Sequence, residues 1–290
     1  MKTLKDHIIL YDAECPMCKV YTRAFTTSGM LDKTGRAPYQ EIPESACPVV
    51  DRQRAVNEIA LVNTVTGEVS YGIDSLFKVI AHSFPVLRPF FAFRPFVWLM
   101  RRLYAFISYN RKVIIPAPKG ATHSIQPSFN IRYRISYLLF TALVVGYILT
   151  IYARCLKGVL PAGNSYREYL IVAGQLAVQG ILVSLYRPEK RWDYLGNMMT
   201  ISLAGALLLL LALGVARLAT ALSLTHHSAA QAFAPLTPIL STAYFLLVAA
   251  LMLAEHIRRS ALLSLGWGLT ISWIFYRLAL IAAIFYFTAR

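Results

Sequence analysis

Cys15 and Cys18, two cysteines separated by two residues, have the types and spacing best suited to chemistry in this sequence. A short apolar stretch, residues 8–11, precedes them as a predicted strand, and the pattern from Pro16 to about Thr27 predicts a helix. Cys15 would then lie at the helix N-terminus, where unpaired backbone N–H groups and the helix dipole lower a thiol pKa from about 8.5. Proline suits the first helical position because it has no N–H to leave unpaired. Cys15 is therefore predicted to attack a disulfide, and Cys18, one turn further along, to resolve the mixed disulfide.

The same pair of cysteines could instead bind a metal ion. A structural zinc site needs about four ligands, usually from two such pairs. The further candidates in the N-terminal part are Cys47, which could also relay a disulfide, and the scattered His7 and His82. A CxxC beside a β-α pattern in a cytosolic setting favours redox chemistry. We therefore predict a redox pair with no metal and no cofactor.

Further β-α patterns follow the cysteine pair. Residues 59–71 predict a hairpin around a Thr-Gly turn, and residues 73–83 have helical spacing. An aromatic-rich amphipathic helix is predicted over residues 96–107. This helix could close the core of a soluble domain or lie in a membrane interface, and we favour the core. Prolines and glycines mark a linker at residues 119–132, which leaves residues 1–118 as an N-terminal α/β domain.

Three motifs in this N-terminal part resemble a known family. Residues 11–18 read YDAECPMC, which is similar to the opening Y-D-G-x-C-P-x-C signature of the DCC family, thioredoxin-like proteins described as thiol-disulfide oxidoreductases. Residues 67–76, GEVSYGIDSL, are similar to the family's strand-to-helix segment, and residues 104–111, YAFISYNR, to its closing Tyr and Asn-Arg motif. The resemblance covers roughly residues 5–115, and three motifs in order are more specific than CxxC alone. It implies a thioredoxin-like fold for the N-terminal domain.

The resemblance also implies which residues form the site. These are the trio Asp12, Cys15 and Cys18, with Asn110 and Arg111 as closing-motif positions. Asp12 would either accept a proton near the resolving thiol or cap the turn by accepting backbone N–H groups. Ala13 stands where the family usually has glycine, so a turn that required positive φ here would be strained or reshaped.

The second part of the chain has the composition of a membrane domain. Of the 290 residues, 57% are hydrophobic and only 15% are charged, which disfavours an ordinary soluble protein and a disordered chain. Five apolar segments follow the linker, each near the roughly 20 residues that cross about 30 Å of hydrocarbon as a helix. They are placed at residues 133–154, 168–187, 195–221, 236–256 and 261–288. We therefore predict an all-α transmembrane bundle of about five helices over residues 133–290.

The basic residues predict how these segments are oriented. The chain has 29 Lys and Arg against 14 Asp and Glu, but they are dispersed rather than gathered in one patch, which disfavours nucleic-acid binding. Arg132 and Arg134, the basic residues within 187–191, and the pair Arg258 and Arg259 belong on the cytoplasmic side. No secretory signal opens the sequence. These features predict a multi-pass inner-membrane protein with a cytoplasmic N-terminal domain and its C-terminus outside.

Three polar residues interrupt the predicted spans. Gln175 and Gln179, four residues apart, share one helix face and are predicted to bond to a neighbouring helix. Arg277 divides the last apolar segment, where a charge is costly unless it is paired or hydrated. We expect Arg277 to contact backbone carbonyls, a lipid headgroup, an anionic ligand or another subunit.

The leading prediction is a membrane-anchored thiol-disulfide oxidoreductase whose CPMC motif acts on a protein thiol or disulfide at the cytoplasmic side. The alternative is a non-catalytic subunit whose thioredoxin-like domain docks onto other membrane-protein subunits. Ala13, which stands in place of the glycine that is usual in the resembled family, motivates this alternative. Transmembrane electron transfer to a quinone is weaker, because the cysteine pair faces the reducing compartment and no span displays a pair of haem-ligand histidines.

Overall fold

The computed structural model of the protein describes residues 1–41, 50–117, 128–161, 163–223 and 237–288. They fall into two compact units, Met1–Arg134 and Ile135–Arg290. Cys47 and most of the predicted linker lie outside the described residues.

The N-terminal unit alternates short strands and helices. In chain order its elements are β1 (His7–Tyr11), α1 (Pro16–Thr27), β2 (Arg36–Pro38), α2 (Arg52–Asn57), β3 (Ala60–Asn63), β4 (Val69–Tyr71), α3 (Gly72–Ser83), α4 (Arg88–Ala92) and α5 (Arg94–Ile114). The four strands form one mixed sheet in the order β2-β1-β3-β4. β1 is parallel to β2 and antiparallel to β3, and β3 is antiparallel to β4.

Both faces of this sheet are covered, which explains why β1 is apolar at nearly every position. Ile9 and Leu61 lie opposite each other in the β1–β3 register and pack into a cluster with Val79 of α3. The alternate residues Leu10 and Ala60 pack into a second cluster, because successive side chains of a strand point to opposite faces. β1 is therefore held on both sides, and the turn that follows it is fixed in place.

The predicted elements of this unit are largely confirmed. The helix expected from Pro16 is observed as α1, and the expected hairpin as β3 and β4. β2 was not predicted. The helix expected over residues 96–107 runs further, over Arg94–Ile114. Ser108, Asn110, Arg111 and Val113 near its C-terminal end are buried, as expected for a helix that closes the core, whereas Trp98 is 62% exposed.

The second unit consists of long apolar helices. They are α6 (Ile131–Ala153, which begins just before the unit boundary), α7 (Arg167–Tyr186), α8 (Arg191–Ser223), α9 (Thr237–Leu262) and α10 (Gly268–Thr288). Within the described residues, five helical segments are long and apolar enough to cross a membrane. This confirms the prediction of a multi-pass membrane protein with about five spans.

The predicted boundary between the last two spans was wrong. α9 continues to Leu262 and α10 begins only at Gly268. Glu255 forms ion pairs with Arg258 at 2.6 Å and with Arg259 at 2.7 Å, and such pairs at i,i+3 and i,i+4 stabilise another helical turn. The helix ends where Ser264 adopts a left-handed conformation with φ 56°.

The glutamine pair on α7 behaves only partly as predicted. Gln179 accepts a hydrogen bond from the Tyr194 hydroxyl at 2.7 Å and donates to Ser272 Oγ at 3.0 Å, so it joins α7 to α8 and α10. Gln175 is also buried, but its amide has no hydrogen-bond partner among the described residues.

Candidate functional site

Cys15 caps the N-terminus of α1. Its backbone is extended, with φ −83° and ψ 109°, and Pro16 occupies the first helical position as predicted. The Cys15 Sγ accepts a hydrogen bond from the backbone N–H of Cys18 at 3.4 Å. The first turn of α1 has no acidic residue, so no carboxylate within that turn opposes a negative charge. This end of α1 therefore favours a thiolate at Cys15.

The pKa values of the two thiols are shifted in opposite directions. The Cys18 thiol, acting as a hydrogen-bond donor, lowers the pKa of Cys15 to about 6, and the Cys18 backbone N–H and the Arg111 charge act in the same direction. Burial and the Asp12 carboxylate oppose this shift. The same hydrogen bond, burial and the negative charge of Cys15 raise the pKa of Cys18 far above its usual range. At neutral pH the pair is therefore a Cys15 thiolate beside a protonated Cys18.

Asp12 holds the turn between β1 and α1. Its Oδ1 accepts the Glu14 backbone N–H at 3.0 Å and the Gln40 side-chain amide at 2.7 Å, while its backbone carbonyl accepts the Cys15 N–H at 3.2 Å. The Asp12 residue is only 4% exposed. These contacts support the capping role of the two roles considered for this carboxylate.

Ala13 fits this turn without backbone strain. Among the described residues other than glycine, only Asp6 and Ser264 have positive φ. Ala13 donates its backbone N–H to Gln40 Oε1 at 3.1 Å. Alanine at this position therefore does not distort the turn.

Arg111 reaches the site from the far end of the unit's sequence. Its Nη2 lies 4.0 Å from Asp12 Oδ2, and the two side chains are 10% and 5% exposed. Because little water screens the pair, the guanidinium charge also lowers the pKa of both Cys15 and Cys18, although by less than hydrogen bonding and burial change them. The structure thus brings together the predicted residues Asp12, Cys15, Cys18 and Arg111.

Asn110 is directed elsewhere. It is fully buried, and its side-chain amide donates to the carbonyl of Phe106 at 2.9 Å and to that of Tyr133 at 3.1 Å. These bonds tie α5 to the first turn of α6. In this structure Asn110 positions the helix that carries Arg111 and does not contact the thiols.

Two tyrosines help to enclose the thiols. Tyr21, one turn beyond Cys18, packs against the cysteine pair. The Tyr104 hydroxyl accepts the Ile59 backbone N–H at 3.1 Å, which links α5 to the start of β3. Burial raises the pKa of both phenols. Both therefore stay neutral over the range in which Cys15 titrates.

Sequence reasoning did not identify two polar residues near the site. Gln40 bonds to both Asp12 and Ala13. Arg36 of β2 donates to the Tyr11 hydroxyl at 2.8 Å and lies over its ring. Neither residue belongs to a motif or a periodic pattern, and only the pairing of β2 with β1 brings them close.

A metal site was the alternative considered for the cysteine pair. Within the part of the chain that the structure describes, no three or more His, Cys, Asp or Glu residues are grouped to hold a metal ion. Arg277 belongs to α10 in the second unit. Comparisons with protein-family models, with curated protein sequences and with solved structures found no match to this chain.

Proposed function

We propose that the N-terminal unit exchanges dithiols and disulfides through Cys15 and Cys18. The observation that carries this proposal is the 3.4 Å hydrogen bond from the Cys18 backbone N–H to Cys15 Sγ at the N-terminus of α1. It favours a nucleophilic sulfur anion next to a second thiol one helical turn away.

The reaction would proceed in two steps that balance without a cofactor. The Cys15 thiolate attacks a disulfide of a substrate protein, forming a mixed disulfide and releasing one substrate thiolate, which takes a proton from water. Cys18 then loses its proton and attacks the Cys15 sulfur, which forms the Cys15–Cys18 disulfide and releases the second substrate thiolate. Two electrons pass from the dithiol to the substrate. A second dithiol protein would restore the reduced pair, and an excess of substrate dithiol over substrate disulfide would drive the reverse reaction.

The electrostatics of the pair suit this order of events. While Cys15 is a thiolate, its charge and hydrogen bond keep Cys18 protonated. Formation of the mixed disulfide removes that charge, so the pKa of Cys18 falls, and the Arg111 charge continues to favour the Cys18 thiolate. Cys18 would therefore become a nucleophile only after Cys15 has reacted.

The setting that we propose is the cytoplasmic face of an inner membrane. A mixed four-stranded sheet with a CPMC turn between β1 and α1 supports a thioredoxin-like domain of the DCC type. Five apolar helical segments among the described residues would anchor it. The Lys and Arg residues near the ends of these segments, at 132 and 134, within 187–191 and at 258 and 259, support a cytoplasmic N-terminus. Substrates would be proteins that are presented at or near the bilayer.

Trapping of the mixed disulfide tests the proposed exchange. A Cys18→Ser chain lacks the resolving thiol and is expected to accumulate reductant-sensitive adducts through Cys15 in cells. The matched controls are Cys155→Ser, which should form no such adducts, and the double variant Cys15→Ser, Cys18→Ser, which should lose them. Equal adduct levels in the Cys18→Ser chain and the double variant would rule out Cys15 as the nucleophile.

Low exposure favours a second candidate function, a non-catalytic subunit that uses this domain for docking. Cys15 is only 7% exposed and Cys18 3%, which limits access for a large substrate. If the double serine variant assembles with its partners and supports full function in cells, this second function is correct.

A further inference from the structure

A cavity of about 410 Å³ lies among the apolar helices of the second unit. Its walls come from all five helices α6 to α10 and are overwhelmingly apolar, with Leu209, Phe245 and Ile281 among them. Small-molecule sites usually have volumes of roughly 300–1,000 Å³ and mainly apolar walls. The cavity is therefore large enough for an organic ligand.

Arg277 is one of two charged residues that line this cavity. It lies midway along α10, and its guanidinium carbon is 5.7 Å from the centre of the Trp273 ring. Its Nε is buried and has no hydrogen-bond partner among the described residues. A guanidinium always carries its charge and has five N–H donors but no acceptor, so its position calls for an oxygen-rich anion.

The other charged residue, Glu168, is already engaged. Its Oε1 accepts from Arg167 Nε at 2.9 Å and lies 2.8 Å from Arg167 Nη2. Its charge is therefore compensated at the start of α7. The Glu168 carboxylate attracts Arg277 from a distance, but within the described residues Arg277 is in no direct ion pair with a carboxylate. Its guanidinium therefore has room for a bound anion inside an apolar cavity.

We propose that this cavity binds a monoanionic amphiphile, with its acidic head on Arg277 and its hydrocarbon chain along the apolar walls. A carboxylate or a phosphodiester presents the oxygens that a guanidinium binds through two parallel hydrogen bonds. A neutral amphiphile of the same length would fill the same space but would bring no negative charge into contact with Arg277. The charge of the head therefore determines the affinity, and the chain adds to it through burial.

The probes are two matched pairs of amphiphiles, added to the purified full chain in a neutral detergent. Oleate is compared with oleyl alcohol, and dioleoyl phosphatidylglycerol with dioleoylglycerol, which has the same acyl chains but no phosphodiester. Native mass spectrometry measures how much of each amphiphile the protein retains, and thermal unfolding measures the amphiphile concentration that is needed to raise the unfolding temperature.

We expect at least one anion to bind about tenfold or more tightly than its neutral partner. This factor corresponds to one charge-assisted hydrogen bond. Preference for oleate alone identifies a free fatty acid, and preference for phosphatidylglycerol identifies a phospholipid headgroup. Equal binding within both pairs overturns the proposal.

Four variants connect this preference to the cavity. Arg277→Gln should abolish the preference for the anion, and Arg277→Lys, which keeps the charge, should retain part of it. Arg217→Gln removes an exposed arginine from α8 and should leave the preference unchanged. Ala249→Phe fills part of the cavity while keeping Arg277, and should weaken binding of both members of each pair. An anion preference that persists in the folded Arg277→Gln protein contradicts the assignment.

Discussion

Arg111 Nη2 lies 4.0 Å from Asp12 Oδ2, which joins the end of helix α5 to the turn that carries Cys15. Both side chains are almost completely buried, so the pair acts in a medium of low dielectric constant. Arg111 favours the Cys15 thiolate whereas Asp12 disfavours it. The acidity of the first thiol in the chain therefore depends on a residue almost one hundred positions later.

Replacing Arg111 with Gln should make Cys15 less acidic. The variant removes a positive charge but keeps the Asp12 carboxylate, so the thiolate fraction of Cys15 at pH 6 should fall by about two- to tenfold. The rate of Cys15 alkylation, measured by peptide mass spectrometry, checks this. Arg101→Gln breaks only an exposed pair with Asp74 at 2.9 Å and should leave the rate unchanged. A normal rate in Arg111→Gln would show that the pair has no electrostatic role.

The Cys15–Cys18 pair should be a weaker reductant than thioredoxin. Because the thiolate stabilises the reduced form, a first cysteine with a pKa of about 6 should give a potential between that of thioredoxin, about −270 mV, and that of DsbA, about −120 mV. Equilibration of the full chain in glutathione buffers, followed by alkylation and mass analysis, measures it. Serine replacements at Cys47 and Cys155 remove the other thiols. A potential at or below that of thioredoxin would contradict the stabilised thiolate.

Single cysteines placed in two loops test the proposed orientation. Each cysteine is introduced into a chain from which all other cysteines have been removed. Asn164 lies between α6 and α7, Glu189 lies between α7 and α8, and both residues are exposed. The variants are Asn164→Cys and Glu189→Cys. A membrane-impermeant maleimide applied to intact cells should label Asn164→Cys, and should label Glu189→Cys only after permeabilisation. The opposite pattern would place the N-terminal unit outside.

Ser264 should be replaceable by glycine with a gain in stability. Its φ of 56° is left-handed, and Leu265 donates its N–H back to the Ser260 carbonyl at 3.0 Å, the arrangement in which helices usually end with glycine. Ser264→Gly should raise the free energy of unfolding by about 0.5–1 kcal/mol. Ala254→Gly, in the exposed interior of α9, should lower it by about 1 kcal/mol. Denaturation in detergent measures both, and a loss of stability in Ser264→Gly would count against the helix end described.

Local patterns were enough to predict α1, the hairpin and the apolar spans. Pro16 marks the start of α1, and the apolar runs mark the strands and the spans. Both signals come from residues that are close together in the chain, so they can be recognised in the sequence alone. β2 has only three residues and includes Pro38, and it exists because β1 pairs with it. Gln40, which follows β2, belongs to no local sequence pattern, because its hydrogen-bond partners Ala13 and Asp12 lie 27 and 28 positions earlier in the chain.

Features that leave no mark in the local sequence pattern were predicted less well. The apolar run through Leu263 and Leu265 hides the end of α9, which is set by backbone conformation at Ser264. Arg111 was named through its motif, but its contact with Asp12 required the fold. Asn110, named through the same motif, bonds to Tyr133 instead.

The pH dependence of Cys15 alkylation in the full chain tests the central claim most directly. The fraction of thiolate rises with pH through the pKa, so the rate should have its midpoint near pH 6 and be level by about pH 8. Cys18→Ala removes the thiol that donates to Cys15 and should move the midpoint to higher pH. A midpoint in the ordinary range, about pH 8.5 or above, would contradict an activated thiolate at Cys15.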